Sequence, residues 1–276
     1  MSYGLAMSTR CTFAVVGHNE VERLALAVEL ASEATRPGDH VWFVDSGSDD
    51  GSGTLAASLG AEVVPAPIGK GAAMALALEL CRDGYLCFVD ADIEHAASNF
   101  PLRLREAIEE TGADMVVGEF DEPGRRLTLT PTLYRPIVGE LFPESLELDI
   151  HVPLCGFRVL RADQAWGHIP SGYGVETHLN LVAGVLGRKV GNCQLGLFRG
   201  PLRGYRNAAA AGIDLAAAVL DYAEELGRLS ASARPAWNAW VSEVIELVKR
   251  QPPEGADDKE FMLEVAALAR RPLPPR

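Results

Sequence analysis

Short apolar runs alternating with helix-forming stretches constrain this chain more than any other feature of it. Thr12–Val16, Val41–Val44, Glu62–Val64, Tyr85–Val89 and Met115–Val117 are rich in β-branched and aromatic residues and are bounded by Gly, Asp or Pro, the marks of buried strands. Between them, Val21–Ala34, Thr54–Leu59, Gly71–Arg82 and Pro101–Thr111 carry helix formers with apolar spacing near 3.6. Such alternation predicts an α/β fold with a mainly parallel central sheet and helices on both faces, because parallel neighbours need crossover connections that cover the sheet. Ligands of such sheets bind at the carboxyl ends of the strands. The polar turns GHNE (17–20), DSGSDDGSG (45–53), GKG (69–71) and DAD (90–92) follow the strands or their short extensions and are expected to converge on one edge.

Further on, DEPGRR reads as a loop, Thr132–Leu141 as a short helix, 148–160 as a strand and 175–186 as a helix opening behind GYG. From about Asn207 the chain is Ala-rich, with helices expected near 211–228, 235–250 and 258–270. A chain of 276 residues buries one substantial core. The expected division is a main domain over 1–206, its halves at about 10–120 and 121–206, and a C-terminal helical extension over 207–276. The apolar face of Ile213, Ala216, Val219 and Leu220 is expected to pack on its own domain, with a homodimer as the second reading.

A net charge of −13 argues against a non-specific nucleic-acid or membrane-surface binder, which needs a basic footprint. Five cysteines without a CxxC pair read as reduced thiols of a cytoplasmic protein, not as structural zinc ligands. No leader segment and no apolar run of membrane-spanning length is evident in the sequence.

Asp90-Ala91-Asp92 is the strongest local signal, since LCFV leads straight into it. Carboxylates at i and i+2 can share Mg²⁺ or Mn²⁺, one directly and one through water, and such a cation would bridge a diphosphate. The bland alternative is a strand-end turn with solvated aspartates. Asp45-Ser46-Gly47-Ser48-Asp49-Asp50 offers acceptors for a ribose or a base edge, or else caps the next helix. Its overlapping Gly51-x-Gly53-x-x-Ala56 is no dinucleotide fingerprint: three aspartates lie just upstream and no acid lies about twenty residues on. Gly69-Lys70-Gly71 opens a helix where backbone N–H groups and a point charge suit a phosphate, or is a plain turn with a solvated Lys. It is not a Walker A loop, since Val64 and Gly71 stand at the required Gly and Ser/Thr positions. Asn19 and Glu20 fit either a ligand-facing turn or a helix start.

The order and spacing of these turns resemble the GT-A type nucleotide-diphospho-sugar transferase fold, and more narrowly the glucosyl-3-phosphoglycerate synthases and related family 2-like transferases. The motifs are HNE (18–20), DSGSDD (45–50), GKG (69–71), DAD (90–92), RLT (126–128), PLCG (153–156) and GYGVE (172–176), and the resemblance covers about 12–206. It implies a metal-dependent hexosyltransferase using UDP-glucose or UDP-GlcNAc and a small acceptor, with retention. Gly17, Asn19, Glu20, Asp45, Ser46, Lys70, Asp90 and Ala91 would form the nucleotide site. Asp92, with Asp90, would hold Mg²⁺ or Mn²⁺. Arg126, Thr128 and Tyr173 would bind an acceptor that in the family carries phosphate and carboxylate. Leu154 would present its carbonyl near the reacting centre, and Glu176 would hold sugar or acceptor hydroxyls.

The sequence also departs from that pattern. The family's late metal-ligating His falls in a segment that here reads LGLFRGPLRGYR, and the last His of the chain is His178. Arg125 replaces the Gly before RLT. Phe157 replaces an acidic residue after PLxG, which points to a different acceptor. Three rival readings stay open. An inverting transferase would use Glu176 as general base. A nucleotidyltransferase would need a GxGTR-like loop that VVGHNE lacks. The third is a non-catalytic nucleotide-sugar binder.

Overall fold

All five strands expected in the first 120 residues form, and the computed structural model extends them at their ends. The structure describes residues 9–121, 129–201, 205–250, 252, 259–269 and 271–276. The first half runs β1 (Cys11–Gly17), α1 (Leu24–Glu33), β2 (His40–Asp45), α2 (Ser52–Ser58), β3 (Glu62–Pro65), α3 (Lys70–Leu80) and β4 (Tyr85–Asp90). A two-residue β5 (His95–Ala96), α4 (Phe100–Thr111) and β6 (Met115–Asp121) follow. A π-helical turn (Thr130–Tyr134) continues into α5 (Arg135–Leu141) and α6 (Pro143–Leu146). Then come β7 (Arg158–Arg161), α7 (Val175–Val185) and β8 (Val190–Arg199), and the helices α8 (Tyr205–Glu225), α9 (Arg234–Lys249) and α10 (Lys259–Ala269).

The strand order is β3-β2-β1-β4-β7-β6-β8-β5. β3, β2, β1 and β4 are mutually parallel, as the alternation predicts. β7 lies antiparallel between β4 and β6, and β8 runs parallel to β6. The sheet is therefore mixed. The reason is connective: the excursion from β6 leaves and re-enters at the same edge, so β7 must run back.

Two differences from the sequence reading have local causes. Of 148–160, only the last residues join the sheet. Pro153 and Gly156 interrupt the run, and the carbonyls of Pro153 and Cys155 accept hydrogen bonds from side chains. β8 was not expected, because Gly191, Asn192, Gln194 and Gly196 break its apolar alternation. Gly196, at φ +82°, sits where the β6–β8 register slips between Glu119 and Phe120.

Register sets the height of the turns. Gly17 pairs with Asp45 and Val16 with Asp90, so β1, β2 and β4 end level with one another. One apolar cluster surrounds the sheet, and a second joins Leu133–Phe142 to α8, α9 and α10 around Trp237. Ala216, Val219 and Leu220 are buried in that second cluster, whereas Ile213 is 53% exposed. Among the described residues no helix is long and apolar enough to cross a membrane.

Candidate active site

The turns after β1 and β2 are tied to each other. Asn19, the only non-glycine at positive φ among the described residues (55°), accepts from Asp49 N–H at 2.9 Å, and its own N–H donates to Ser48 Oγ at 3.0 Å. It does not cap α1, which starts at Leu24 without a side-chain cap. Asp45 Oδ1 accepts from Ser48 N–H at 2.8 Å. Asp50 accepts from the N–H groups of Val21 and Ser52 and from Ser52 Oγ. Those bonds outweigh desolvation and hold its carboxyl below the usual range. Ser46 is buried and its hydroxyl links Pro67 O to Gly69 N–H, so it joins the second turn to GKG. Gly17 lies beneath Ala91, whose methyl would be 2.6 Å from any Cβ there, and Ala91 N–H donates to Val16 O.

At the centre stands Lys70. Its Nζ is 2.8 Å from Asp90 Oδ1 and 2.6 Å from Glu176 Oε1. A cation at the first residue of a helix opposes the helix dipole, so this placement answers to the two carboxylates and not to α3. Burial alone would lower the Lys70 pKa, but Asp90 and Glu176 raise it above the usual lysine value, and the ammonium is permanent at neutral pH. Glu176 is buried in the first turn of α7. The GYGVE motif thus delivers its acid to the carboxyl end of β4.

Three glycines permit this approach. Gly156 abuts the pair, and a methyl there would overlap Asp90 Oδ2 and stand 2.7 Å from Lys70 Nζ. Gly71 and Gly69 face the carbonyls of Pro170 and Ser171, and Ala72 N–H donates to Ser171 O at 3.0 Å. These glycines therefore admit the chain's own 170–172 loop.

Arg158 carries the other wall and was missed in the sequence, where it reads as a strand residue. Wholly buried, it donates to Cys155 O (2.5 and 3.2 Å), Glu176 O (3.2 Å) and Asn180 Oδ1 (3.2 Å). Burial lowers its pKa from the usual arginine value. Asn180 Nδ2 in turn donates to Pro153 O at 2.8 Å and to Tyr134 Oη at 3.3 Å. With the carbonyls on both sides pinned, Leu154 is held half-buried in the PLCG segment.

Asp92 is half-buried just beyond β4. The end of β8 comes to it: Glu94 N–H donates to Arg199 O at 3.0 Å, and a Cβ on Gly200 would lie 3.8 Å from Asp92 O. At the same edge, where β6 ends, His151 Nδ1 is 2.7 Å from Glu119 Oε2, and Nε2 is 3.3 Å from Asp149 Oδ1. Arg125, Arg126 and Thr128 lie outside the described residues, as do Leu202–Gly204 of the LGLFRGPLRGYR segment.

The profile of glycosyl transferase family 2 matches residues 12–167, more than half of the chain. The chain belongs to glycosyl transferase family 2. No curated protein sequence matches it. Its fold is shared with glucosyl-3-phosphoglycerate synthase from Mycobacterium tuberculosis. The complex of that enzyme with Mn²⁺, UDP and glucosyl-3-phosphoglycerate is 21% identical at a TM-score of 0.65, over 77% of this chain and 79% of that one. The complex with Mn²⁺, UDP-glucose and phosphoglyceric acid has the same identity and TM-score over 78% and 80%. The complex with Mg²⁺ and UDP is 22% identical at 0.63 over 77% and 79%.

In this family 2 glycosyltransferase, Phe157 is not an acceptor residue of unusual character. It is 2% exposed, with ring centroids 4.5 Å from Phe100 and 4.9 Å from Phe198, beneath the ends of β6 and β8. The expectation of a different acceptor loses that support. His178 is likewise a packing residue, with Nε2 3.1 Å from Trp166 O and its ring edge-on to Tyr222. Tyr173 is half-exposed on the loop before α7, and its N–H donates to Asp214 Oδ2 at 2.8 Å. No sequence pattern marked Asp214, which sits in an Ala-rich helix far along the chain.

Proposed function

We propose that this chain transfers a hexose from a UDP-sugar, UDP-glucose or UDP-GlcNAc, to a small acceptor bearing an anionic group, with retention. The observation that carries the reading is the Lys70–Asp90–Glu176 cluster at the carboxyl edge of the parallel strands. It supplies a fixed ammonium and two carboxylates at the place where a nucleotide-sugar's diphosphate and hydroxyls have to be received. Gly17, Asn19, Glu20, Asp45, Ser46 and Ala91, in the turns after β1, β2 and β4, are assigned to the nucleoside.

Glycosyl transfer passes through an oxocarbenium-like state, so the chain must stabilise a departing diphosphate and orient an acceptor hydroxyl. Lys70 stabilises the leaving group. Glu176 is held as the partner of Lys70, with Oε1 2.6 Å from the ammonium, and orients sugar hydroxyls. That pairing favours retention, in which the leaving phosphate itself accepts the acceptor proton, over an inverting route with Glu176 as base. Leu154, fixed between pinned carbonyls, supports the reacting centre. Arg126, Thr128 and Tyr173 are assigned to the acceptor.

Among the described residues no three His, Cys, Asp or Glu side chains stand grouped to hold a metal ion, so a divalent cation would rest on Asp92 and Asp90 together with substrate phosphates. Asp90 Oδ1 is engaged by Lys70; Asp92 would be the direct ligand, and Asp90 would act through water. One carboxylate with substrate phosphates is a usual mode for Mg²⁺. Mg²⁺ or Mn²⁺ bound there would neutralise charge on the departing nucleotide.

Thermal stabilisation by nucleotides tests the donor. UDP should stabilise the protein more than GDP or dTDP at equal concentration, a ~10-fold preference appearing as about 1.4 kcal/mol at saturation. Equal shifts, or a GDP preference, would contradict it.

A further inference from the structure

We propose that Asp214, on α8, is a positioning residue for the site: its carboxylate fixes the main chain of Gly172–Gly174 and thereby the placement of Glu176 against Lys70. The inference rests on the assignment of Lys70, Asp90 and Glu176 to the donor.

The loop from Ala162 to Gly174 joins no strand. On one side it lies against the start of α3, where Ser171 O accepts from Ala72 N–H and the Pro170 carbonyl faces Gly71. On the other side it meets α8. Tyr173 N–H donates to Asp214 Oδ2 at 2.8 Å, a methyl on Gly172 would overlap that same oxygen, and one on Gly174 would stand 2.5 Å from Asp214 O and 2.7 Å from Ala218 Cβ. The GYG triplet is therefore shaped to α8: Gly172 makes room for the carboxylate and Gly174 for the helix backbone. Two residues later the chain reaches Glu176, 2.6 Å from Lys70 Nζ.

The rest of the loop is tied further back, by His178 at Trp166 O and by Arg188 at Gln164 and Ala165. Behind it opens a cleft of about 350 Å³ whose walls include Pro170, Ser171, Gly172, Gly174, His178 and Asp214. A loop beside an open cleft depends on its ties for precision, and misplacing a reacting group by about 1 Å costs on the order of 100-fold in rate. Asp214 thus brings the C-terminal helical layer into the construction of the site. It also orients the main chain that carries Tyr173.

The test compares wild type, Asp214→Ala and Asp214→Asn. Asparagine keeps an acceptor oxygen for Tyr173 N–H, so a positional role predicts rescue. Asp214→Ala should lower kcat for UDP-glucose turnover by about 10- to 100-fold, with UDP affinity changed less than about 2-fold because the turns assigned to the nucleoside are untouched. Asp214→Asn should regain most of kcat. An unchanged kcat in Asp214→Ala, or no recovery in Asp214→Asn, overturns the proposal. Amide hydrogen exchange separates this outcome from failure of the donor assignment, since it needs no substrate. Asp214→Ala should speed exchange in 168–176 and at Ala72 while leaving β1 and β2 unchanged. Acceleration confined to α8, or none, overturns the proposal even if the wild type turns over no UDP-sugar.

Discussion

Arg126 is the residue on which the acceptor assignment turns. Arg126→Ala should weaken an anionic acceptor by roughly 10- to 150-fold, the loss of a charge-assisted forked contact worth ~1.5–3 kcal/mol. Donor hydrolysis without acceptor should hardly change. Equal damage to donor binding would move the loop to the nucleotide side and break the phosphoglycerate analogy. His178 makes a separate prediction about stability. Burial lowers its pKa below the ordinary histidine value, against the Trp166 carbonyl that raises it. The unfolded chain therefore binds more protons below about pH 6.5, and His178 contributes stability that is present above that pH and lost as pH falls toward its folded value. His178→Phe, which keeps a ring against Tyr222, should show a shallower fall in melting temperature from about pH 7.5 to about pH 5; an unchanged slope would contradict it. Legibility at this scale follows the range of the interaction. Asp90, Asp92 and Lys70 were readable because each stands at a strand or helix end in a local pattern. Glu176 was readable only through its pentapeptide. Arg158, Asn180 and Asp214 were not, because each acts on backbone that is distant in sequence, and nothing nearby distinguishes them from core or surface residues.

At the scale of elements, the glycines of GKG set how closely α3 meets the 170–172 loop. A methyl on Gly71 would overlap the Pro170 carbonyl, a backbone atom that cannot swing aside. Gly71→Ala should therefore displace the loop or the start of α3 at a cost of about 1–3 kcal/mol, lowering the melting temperature by roughly 2–4 °C per kcal/mol and reducing turnover. Wild-type stability and rate in that variant would show that the contact is looser than described. The parallel half of the sheet was legible because β1, β2, β3 and β4 are apolar runs buried on both faces. β7 was legible only with blurred bounds and β8 not at all, for opposite reasons. β7 is a four-residue strand embedded in a longer apolar-looking stretch. β8 carries glycines and amides, with Gly196 at its bulge donating to Gln194 and Asn192 donating to Asp149 O, so its alternation is lost.

Across the whole molecule, the charge and the helical C-terminal region take on a definite meaning. A net charge of −13 includes acids of the site itself, where Lys70 is buried between Asp90 and Glu176, so the proposed diphosphate binding leans on a divalent cation as well as on Lys70. The helices after residue 205 share an apolar cluster with Leu133–Phe142, and α8 also reaches the loop before Glu176. The site therefore draws on both ends of the chain. Release of UDP from UDP-glucose in Mn²⁺, wild type against Asp92→Asn, tests the proposed metal-assisted transfer at the carboxyl edge of β4 most directly. The wild type should release UDP in a metal-dependent way and Asp92→Asn should lose that release, with the fold retained. Wild-type release by Asp92→Asn in Mn²⁺ or Mg²⁺, or none by the wild type with any UDP-hexose, would contradict it.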